Sequence, residues 1–300
     1  MYYYSLNEYL KNTFGSKVYK ISLNGGMTCP NRDGTLSDKG CIFCSNGGSG
    51  ELSADCKLSI TEQIEQAKLR VKSKIKTDKY IAYFQAFTNT YAPVEHLRKI
   101  FTEAINHREV VALSIATRPD CLGDDVLDLL SQLSEIKPVW VELGLQTIHK
   151  KSSDYIRRCY ELPVYDNAVK ELKSRNIQVI THIILGLPNE SVEEMLQSVA
   201  YAGKFSDGIK LQLLHILKGT DLADDYNNGK FDVLTLEEYT DILCKAVEIL
   251  PKEVVIHRLT GDGDKKLLIA PLWSADKKRV LNTINKAFSH RNIIQGSKSI

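Results

Sequence analysis

The feature that most constrains this chain is an alternation of short apolar runs with longer amphipathic segments, sustained over most of its length. Candidate strands are Tyr80–Ala86, Val110–Ala116, Val139–Leu145, Gln178–Leu185, Ile209–Leu214 and Val254–His257. Several are rich in Val and Ile and apolar on both faces, the pattern of parallel strands covered on both sides. Between them lie helical patterns at Thr61–Ile75, Val94–Asn106, Asp124–Ile136, Tyr165–Arg175, Ser191–Lys204 and Leu236–Leu250. Two open on capping-box pairs, Ser59 with Glu62 and Thr235 with Glu238. Strand, helix, strand in this order makes parallel pairing with right-handed crossovers the default. About six units are visible, counting a first strand near the cysteines, too few for a closed eight-stranded barrel. The expected fold is therefore α/β, a partial (β/α)6 TIM-like barrel. The barrel is expected at residues 25–220, after an N-terminal extension at 1–24. Residues 221–300 form a C-terminal extension, entered through the loop Asp221–Lys230.

In such a fold functional groups collect at the carboxyl ends of the strands. Polar residues fall there repeatedly: Gln85, Phe87 and Thr88 in FQAFTNTY, then Thr117 and Arg118 in TRPD. Glu142 and Gln146 follow in VELGLQT, His182, Gly186 and Glu190 in THIILGLPNE, and Lys210, Gln212 and His215 in KLQLLH. Any one of these is an ordinary strand cap or turn residue. Their recurrence at one rim marks a site.

The chemistry is concentrated in Cys29-Pro-Asn-Arg-Asp-Gly-Thr-Leu-Ser-Asp-Lys-Gly-Cys41-Ile-Phe-Cys44. Cys41 and Cys44, two residues apart, can turn both thiolates toward one metal centre, and Cys29 joins them across a loop rich in turn residues. Thiolates are the ligands that iron–sulfur clusters demand. A structural zinc site would call for a fourth ligand, and none stands nearby with a paired partner. Three thiolates with an open position suit a cluster whose fourth iron binds another molecule; a zinc site is the alternative. Cys56, Cys121, Cys159 and Cys244 show no such spacing. Cys244 falls on an apolar helical stripe, and Cys159 follows Arg157-Arg158 near the rim.

Composition narrows the setting. The chain is 43% hydrophobic, enough for a full core. It has no apolar run near the roughly 20 residues that span a bilayer, and its N-terminus lacks an export pattern. A cytoplasmic protein that keeps its cysteines reduced is expected. Net charge is +2, but residues 265–300 carry eight Lys/Arg against Asp276, so the preceding 264 residues hold −5. The basic tail, with Lys277, Lys278 and Arg279, suits contact with a polyanion or a solvated helix face.

The CPNRDGT…GCIFC spacing, followed in order by TRPD, ELGLQT, THIILGLP and HRLTGDG, resembles the YhcC/YtqA (MnmL-like) branch of radical S-adenosylmethionine (SAM) proteins. That branch is related to the radical domain of the elongator catalytic subunit. The resemblance runs from about Tyr9 to Trp273. It implies a radical SAM barrel with a [4Fe–4S] cluster held by Cys29, Cys41 and Cys44, and SAM on the fourth iron. It also implies reductive cleavage of SAM to methionine and a 5′-deoxyadenosyl radical, with flavodoxin or ferredoxin as electron donor. Cofactor contacts fall on the Gln85–Thr88 stretch (including Phe87), Thr117, Arg118, Glu142, Gln146, Arg157, Arg158, His182 and Gly186. The eleven residues between Cys29 and Cys41 match this branch and exceed the superfamily's usual three. Arg158-Cys159-Tyr160 departs from the Gly-His pair of the branch, and no acetyltransferase domain follows the barrel.

The branch is associated with transfer RNA, specifically with C5 side chains of wobble uridine on the path to aminomethyl and methylaminomethyl groups. Lys277, Lys278 and Arg279 are then candidate RNA contacts, and Tyr91, Tyr160 and Trp273 candidate stacking residues. Two alternatives stand beside this: a radical enzyme acting on a small metabolite or protein, and a non-enzymatic metal-binding RNA module. Loss of RNA binding at physiological salt marks the first. Zinc content without SAM cleavage marks the second.

Overall fold

In the computed structural model, which describes residues 2–48, 50, 53–71, 77–261 and 263–299, the alternation becomes one parallel sheet wrapped by helices. The order is α1 (Leu6–Phe14), β1 (Tyr19–Leu23), α2 (Ile60–Val71), β2 (Tyr80–Phe84), α3 (Val94–Asn106) and β3 (Val110–Thr117). Next come α4 (Asp124–Ser134), β4 (Val139–Gln146), α5 (Lys150–Tyr155), α6 (Leu162–Ser174), β5 (Gln178–Leu185), α7 (Val192–Phe205) and β6 (Gly208–Leu213). The chain ends with β7 (Ile216–Leu217), α8 (Asp221–Asn227), α9 (Leu236–Ile249), β8 (Val255–Arg258), β9 (Leu268–Ala270) and α10 (Lys277–His290). Seven strands pair in parallel in the order β1-β2-β3-β4-β5-β6-β8, while β7 and β9 make a small antiparallel pair.

All six strands read from the sequence are present, with ends shifted by at most two residues. The first strand lies ahead of residue 25, and β8 comes from beyond residue 220, so the sheet draws on both expected extensions. β1 escapes pattern reading because Lys20 and Ser22 interrupt its apolar run. Residues 72–75 of the expected helix Thr61–Ile75 lie outside the described residues. Both expected capping boxes form: Ser59 N–H donates to Glu62 at 2.8 Å, and Thr235 N–H donates to Glu238 at 2.8 Å. Among the described residues no helix is long and apolar enough to cross a membrane.

The sheet is strongly curled. Neighbouring strands lie about 4.8 Å apart, so β2 and β6, four strands apart, would stand roughly 19 Å apart if flat. Yet Lys210 Nζ on β6 donates to Tyr83 Oη on β2 at 3.2 Å. The period-two alternation stacks the inward side chains in layers. The lowest layer, Ile81, Ala112, Trp140 and Ile180, is apolar and packs on Leu10 and Val18. α1 lies across this end: Tyr9 Oη donates to Gln178 at 3.1 Å, and its ring meets Trp140 edge-on at 5.9 Å. The segment before α1 bridges to β8, with Ile256 N–H donating to Tyr4 O at 2.9 Å. The apolar base of the barrel is thus covered by α1. Its middle layer carries Lys20, Tyr83, Ser114, Glu142, His182 and Lys210, and its upper layer Ser22, Gln85, Ala116, Gly144, Ile184 and Gln212.

The basic tail is a docked helix. α10 buries Val280, Ile284 and Phe288, and the rings of Tyr2 and Tyr3 meet Phe288 edge-on at 6.0 and 6.1 Å.

Candidate active site in the barrel chamber

The upper and middle layers, with Leu6, Asn7, Leu10 and Lys17 beside β1 and Lys277 and Leu281 of α10, line a chamber of about 860 Å³, and Cys29, Cys41 and Cys44 all line it. The loop carrying them leaves β1 and folds back by local chemistry. Cys29 O accepts from Arg32 N–H at 2.8 Å, and Asn31 O from Gly40 N–H at 2.6 Å. Gly40 has φ +74°, and a Cβ there would press on the Arg32 side chain at 3.0 Å. That side chain is committed to the loop, since Arg32 Nη2 donates to Cys44 O and Ser45 O, each at 2.6 Å. The fully buried Asn31 donates to Cys41 Sγ at 3.5 Å and to Arg157 O at 2.7 Å. All seven cysteines are free thiols. Burial, and then Cys44, push Cys41 up to about 12, so a bound metal is needed to hold it as thiolate. Glu65, His107 and Glu109 are the one trio of possible ligands among the described residues whose donor atoms converge within 4.8 Å. At least one pair of the three cysteine sulfurs therefore stands more than 4.8 Å apart. Three thiols carried by one loop into one chamber are the donor set of an iron–sulfur cluster.

A rigid turn after α5 braces this loop. Ile42 N–H donates to Ile156 O at 3.2 Å, and Cys41 Sγ and Cys159 Sγ both approach Arg157 O, at 3.7 and 3.3 Å. Arg157 and Cys159 have φ of +56° and +62°, a conformation costing a non-glycine residue roughly 1–3 kcal/mol and kept only where surroundings enforce it. Here the enforcement is Arg158. Buried, it donates to Tyr160 O at 3.1 Å, Leu145 O at 3.0 Å and Thr147 O at 2.6 Å, with the Tyr160 ring 4.4 Å from its guanidinium carbon. Phe87 and Gln146, also left-handed at +60° and +69°, stand on the rim.

The middle layer is built around Glu142. Its carboxylate is fully buried and accepts from Lys20 Nζ at 2.6 Å, Ser114 Oγ at 2.6 Å, His182 Nε2 at 2.7 Å and Lys210 Nζ. Burial opposes its charge, but Lys20 and Lys210 hold it well below the usual carboxylate range. Burial and Lys210 lower His182 to about 4, so it is neutral and donates through Nε2. Burial also lowers Lys210, to about 7, against the pull of Glu142.

Of the residues expected to hold cofactor, Gln85, Phe87, Thr88, Thr117, Arg118, Glu142, Gln146, Arg158 and His182 line this chamber. Arg118 is held bidentate by Asp120 at 2.9 and 2.6 Å. Burial disfavours its charge, but Asp120 and then Cys41 and Cys29 raise its pKa. Four expectations change. Glu142 sits in the body of β4 rather than at its end, saturated by its neighbours. Arg157 pairs with Asp221 at 2.5 Å and is absent from the chamber wall. The buried Arg158 gives Nε and Nη1 to backbone carbonyls, which leaves Nη2 for a ligand in place of a free bidentate fork. Gly186, with φ +89°, answers to packing, because a Cβ there would meet Leu234 at 2.9 Å. Tyr160 is buried with its hydroxyl on Gly144 O, a packing residue, and Trp273 donates to Leu234 O at 3.0 Å. Sequence reading passes over Lys20, Asn31 and Arg32; a lysine inside a short apolar strand is the available signal for the first.

Lys277 also lines the chamber wall, while Lys278 and Arg279 stand exposed beside it at the start of α10. No acid occupies that first turn, so three cations face the positive end of the helix dipole.

Comparison with known proteins fits this arrangement. Residues 29–202 match the model of the Radical SAM superfamily, and 206–290 that of the Radical_SAM C-terminal domain. The chain is 46% identical over 295 residues to the uncharacterized protein YtqA of Bacillus subtilis, covering 98% of this chain and 92% of that one. It is 29% identical over 173 residues to the tRNA uridine(34) acetyltransferase of Methanocaldococcus jannaschii, covering 56% of this chain but 31% of the relative. Its fold matches the solved structure of Methanocaldococcus infernus Elp3 with a TM-score of 0.69 at 18% identity, covering 93% of this chain and 64% of the archaeal one. Open parallel barrel, three-cysteine loop at its mouth and family match agree: the chain belongs to the radical SAM superfamily, whose enzymes work with a [4Fe–4S] cluster and SAM.

Proposed function

We propose that this radical SAM enzyme remodels the C5 side chain of the wobble uridine, U34, in transfer RNA, on the path to aminomethyl and methylaminomethyl groups. The observation that carries the reading is the cationic start of α10 at the chamber mouth. Lys277, Lys278 and Arg279 sit where they weaken their own helix, and Lys277 reaches the chamber wall. Such residues position phosphates without reading bases, leaving base choice to the chamber. Kinship with a tRNA uridine(34) acetyltransferase supports the same substrate.

In this reading Cys29, Cys41 and Cys44 hold the cluster. When bound, cluster and SAM supply a 5′-deoxyadenosyl radical, able to take hydrogen from an unactivated carbon. The chain's own residues do the rest. Asn31 and Arg32 fix the cysteine loop, and Arg158 locks the turn that braces Cys41. Gln85, Phe87, Thr88, Thr117, Arg118 and Gln146 form the rim that seats SAM. The apolar lower layer and α1 cover the base of the barrel. Flavodoxin or ferredoxin in the cytoplasm is the proposed electron source. The test is nucleoside mass spectrometry of transfer RNA from cells with and without the gene. Accumulation of an unprocessed C5 side chain is expected; unaltered wobble uridines, with no second enzyme for the step, reject the reading.

A further inference from the structure

The charge inventory of the middle layer does not balance. When protonated, Lys20 and Lys210 bring two ammoniums against the one carboxylate of Glu142, and burial, then Lys20 and Arg258, hold Lys210 down at about 7. His182 and His257 are held neutral by burial and the neighbouring lysines, while Arg258, facing Lys210 in register on β8, adds to the positive field. An enclosed excess of positive charge is costly unless an anion meets it.

Hydrogen-bond capacity points the same way. Glu142 already accepts from four donors, two on each oxygen, which uses all its lone pairs. It is a scaffold with nothing left to offer a ligand. Each ammonium carries three protons. Lys20 places two on Glu142 and Ser114, and Lys210 two on Glu142 and Tyr83. Both nitrogens lie against the Tyr83 ring, 4.5 and 4.6 Å from its centroid, so their remaining donors serve one small region. The layer above is narrow-walled and uncharged, with Ser22, Ala116 and Gly144 leaving a path down to them.

We propose that Lys20 and Lys210, held on either side of Glu142, form a receptor for one terminal carboxylate of the substrate at the chamber floor. Each ammonium keeps one proton beyond its two bonds, and two protons match the two oxygens of one carboxylate better than the three or more of a phosphate. Both lysines sit three residues, roughly 10 Å, below the carboxyl ends of their strands. That depth is beyond an RNA backbone docked at the rim, so the anion belongs to the inserted side chain. The inference rests on the barrel being the reaction chamber and, for its natural ligand, on the RNA reading above.

The direct test uses acetate as the probe on the anaerobically reconstituted protein, with NMR of 13C-labelled lysine side chains. Acetate should raise the Lys210 pKa, and methylammonium should not. Lys210→Met and Lys20→Gln should each weaken acetate binding by about tenfold or more, as loss of a charge-assisted hydrogen bond implies, with iron content unchanged. Lys20 is partly exposed, so Lys20→Gln decides the matter should Lys210→Met fail to fold. Acetate should still bind when SAM is present. Competition with SAM would assign the lysines to the cofactor's own carboxylate and overturn the proposal, as would no acetate-dependent shift at all. Transfer RNA binding, measured separately by filter retention, tells the two readings apart. RNA binding without an acetate response sinks the receptor alone, and an acetate response without RNA binding sinks the RNA reading alone.

Discussion

Glu142 shows how a single side chain organises this chamber. Its carboxylate, itself withdrawn from water, is the hub for two ammoniums, a hydroxyl and an imidazole. Replacing it with Gln leaves the buried Lys210 and the partly buried Lys20 facing a neutral amide. Breaking a buried ion pair costs about 3–5 kcal/mol, so Glu142→Gln should lower the urea midpoint markedly. His182 adds a pH dependence. Its pKa is about 4 in the fold against 6.5 as the ordinary value, so between those limits the unfolded chain binds the extra proton. Stability contributed by neutral His182 is complete above about pH 6.5 and drains away as pH falls toward 4. Urea midpoints measured across that window should slope for the parent and flatten for His182→Gln. At the cysteine loop, anaerobic reconstitution should give about four irons per chain. Cys29→Ala, Cys41→Ala and Cys44→Ala should each lose them, whereas Cys244→Ala, buried on α9, should keep them. The cysteine spacing was legible in the sequence because its information is local. Glu142 and His182 were legible as polar residues on strands, but their partners were not: Lys20, Ser114 and Lys210 come from β1, β3 and β6, and only the curl of the sheet brings them together.

Among the elements, α10 separates function from stability. Its N-cap is Asp276, which accepts from Arg279 N–H at 3.0 Å, yet its next three residues are cations. Charges of that sign at a helix start cost roughly 0.3–1 kcal/mol each. Lys277→Ala/Lys278→Ala/Arg279→Ala should therefore melt no earlier than the parent. The same triple change should weaken RNA binding and reduce the log–log salt slope by up to about 3 units, since each phosphate left unneutralised removes roughly 0.9 or less. A parent-like slope would leave these cations without an RNA role. By contrast Thr235→Ala, which removes the cap of α9, should cost about 1 kcal/mol and leave RNA binding alone. The central strands and helices announced themselves through long apolar periodicity. β1, α1 and α10 did not: their apolar residues are few, and each is completed by neighbours distant in sequence, such as Tyr2 and Tyr3 on Phe288.

At the scale of the whole molecule, the barrel joins parts that the sequence distributes widely, cysteines near one end and α10 near the other, around one mouth. Purified and reduced, it should convert SAM to methionine and 5′-deoxyadenosine, read by chromatography of the quenched reaction. Gln146→Ala should raise the SAM dissociation constant without changing iron content, because Gln146 stands on the rim at the end of β4 and the three cysteines come from the loop after β1. The cover that α1 forms under Trp140 has a kinetic meaning. With its base closed, the chamber should hold a cofactor seated on the rim beneath a docked macromolecule, its off-rate slowing once the mouth is covered and spent nucleoside leaving only after the mouth reopens.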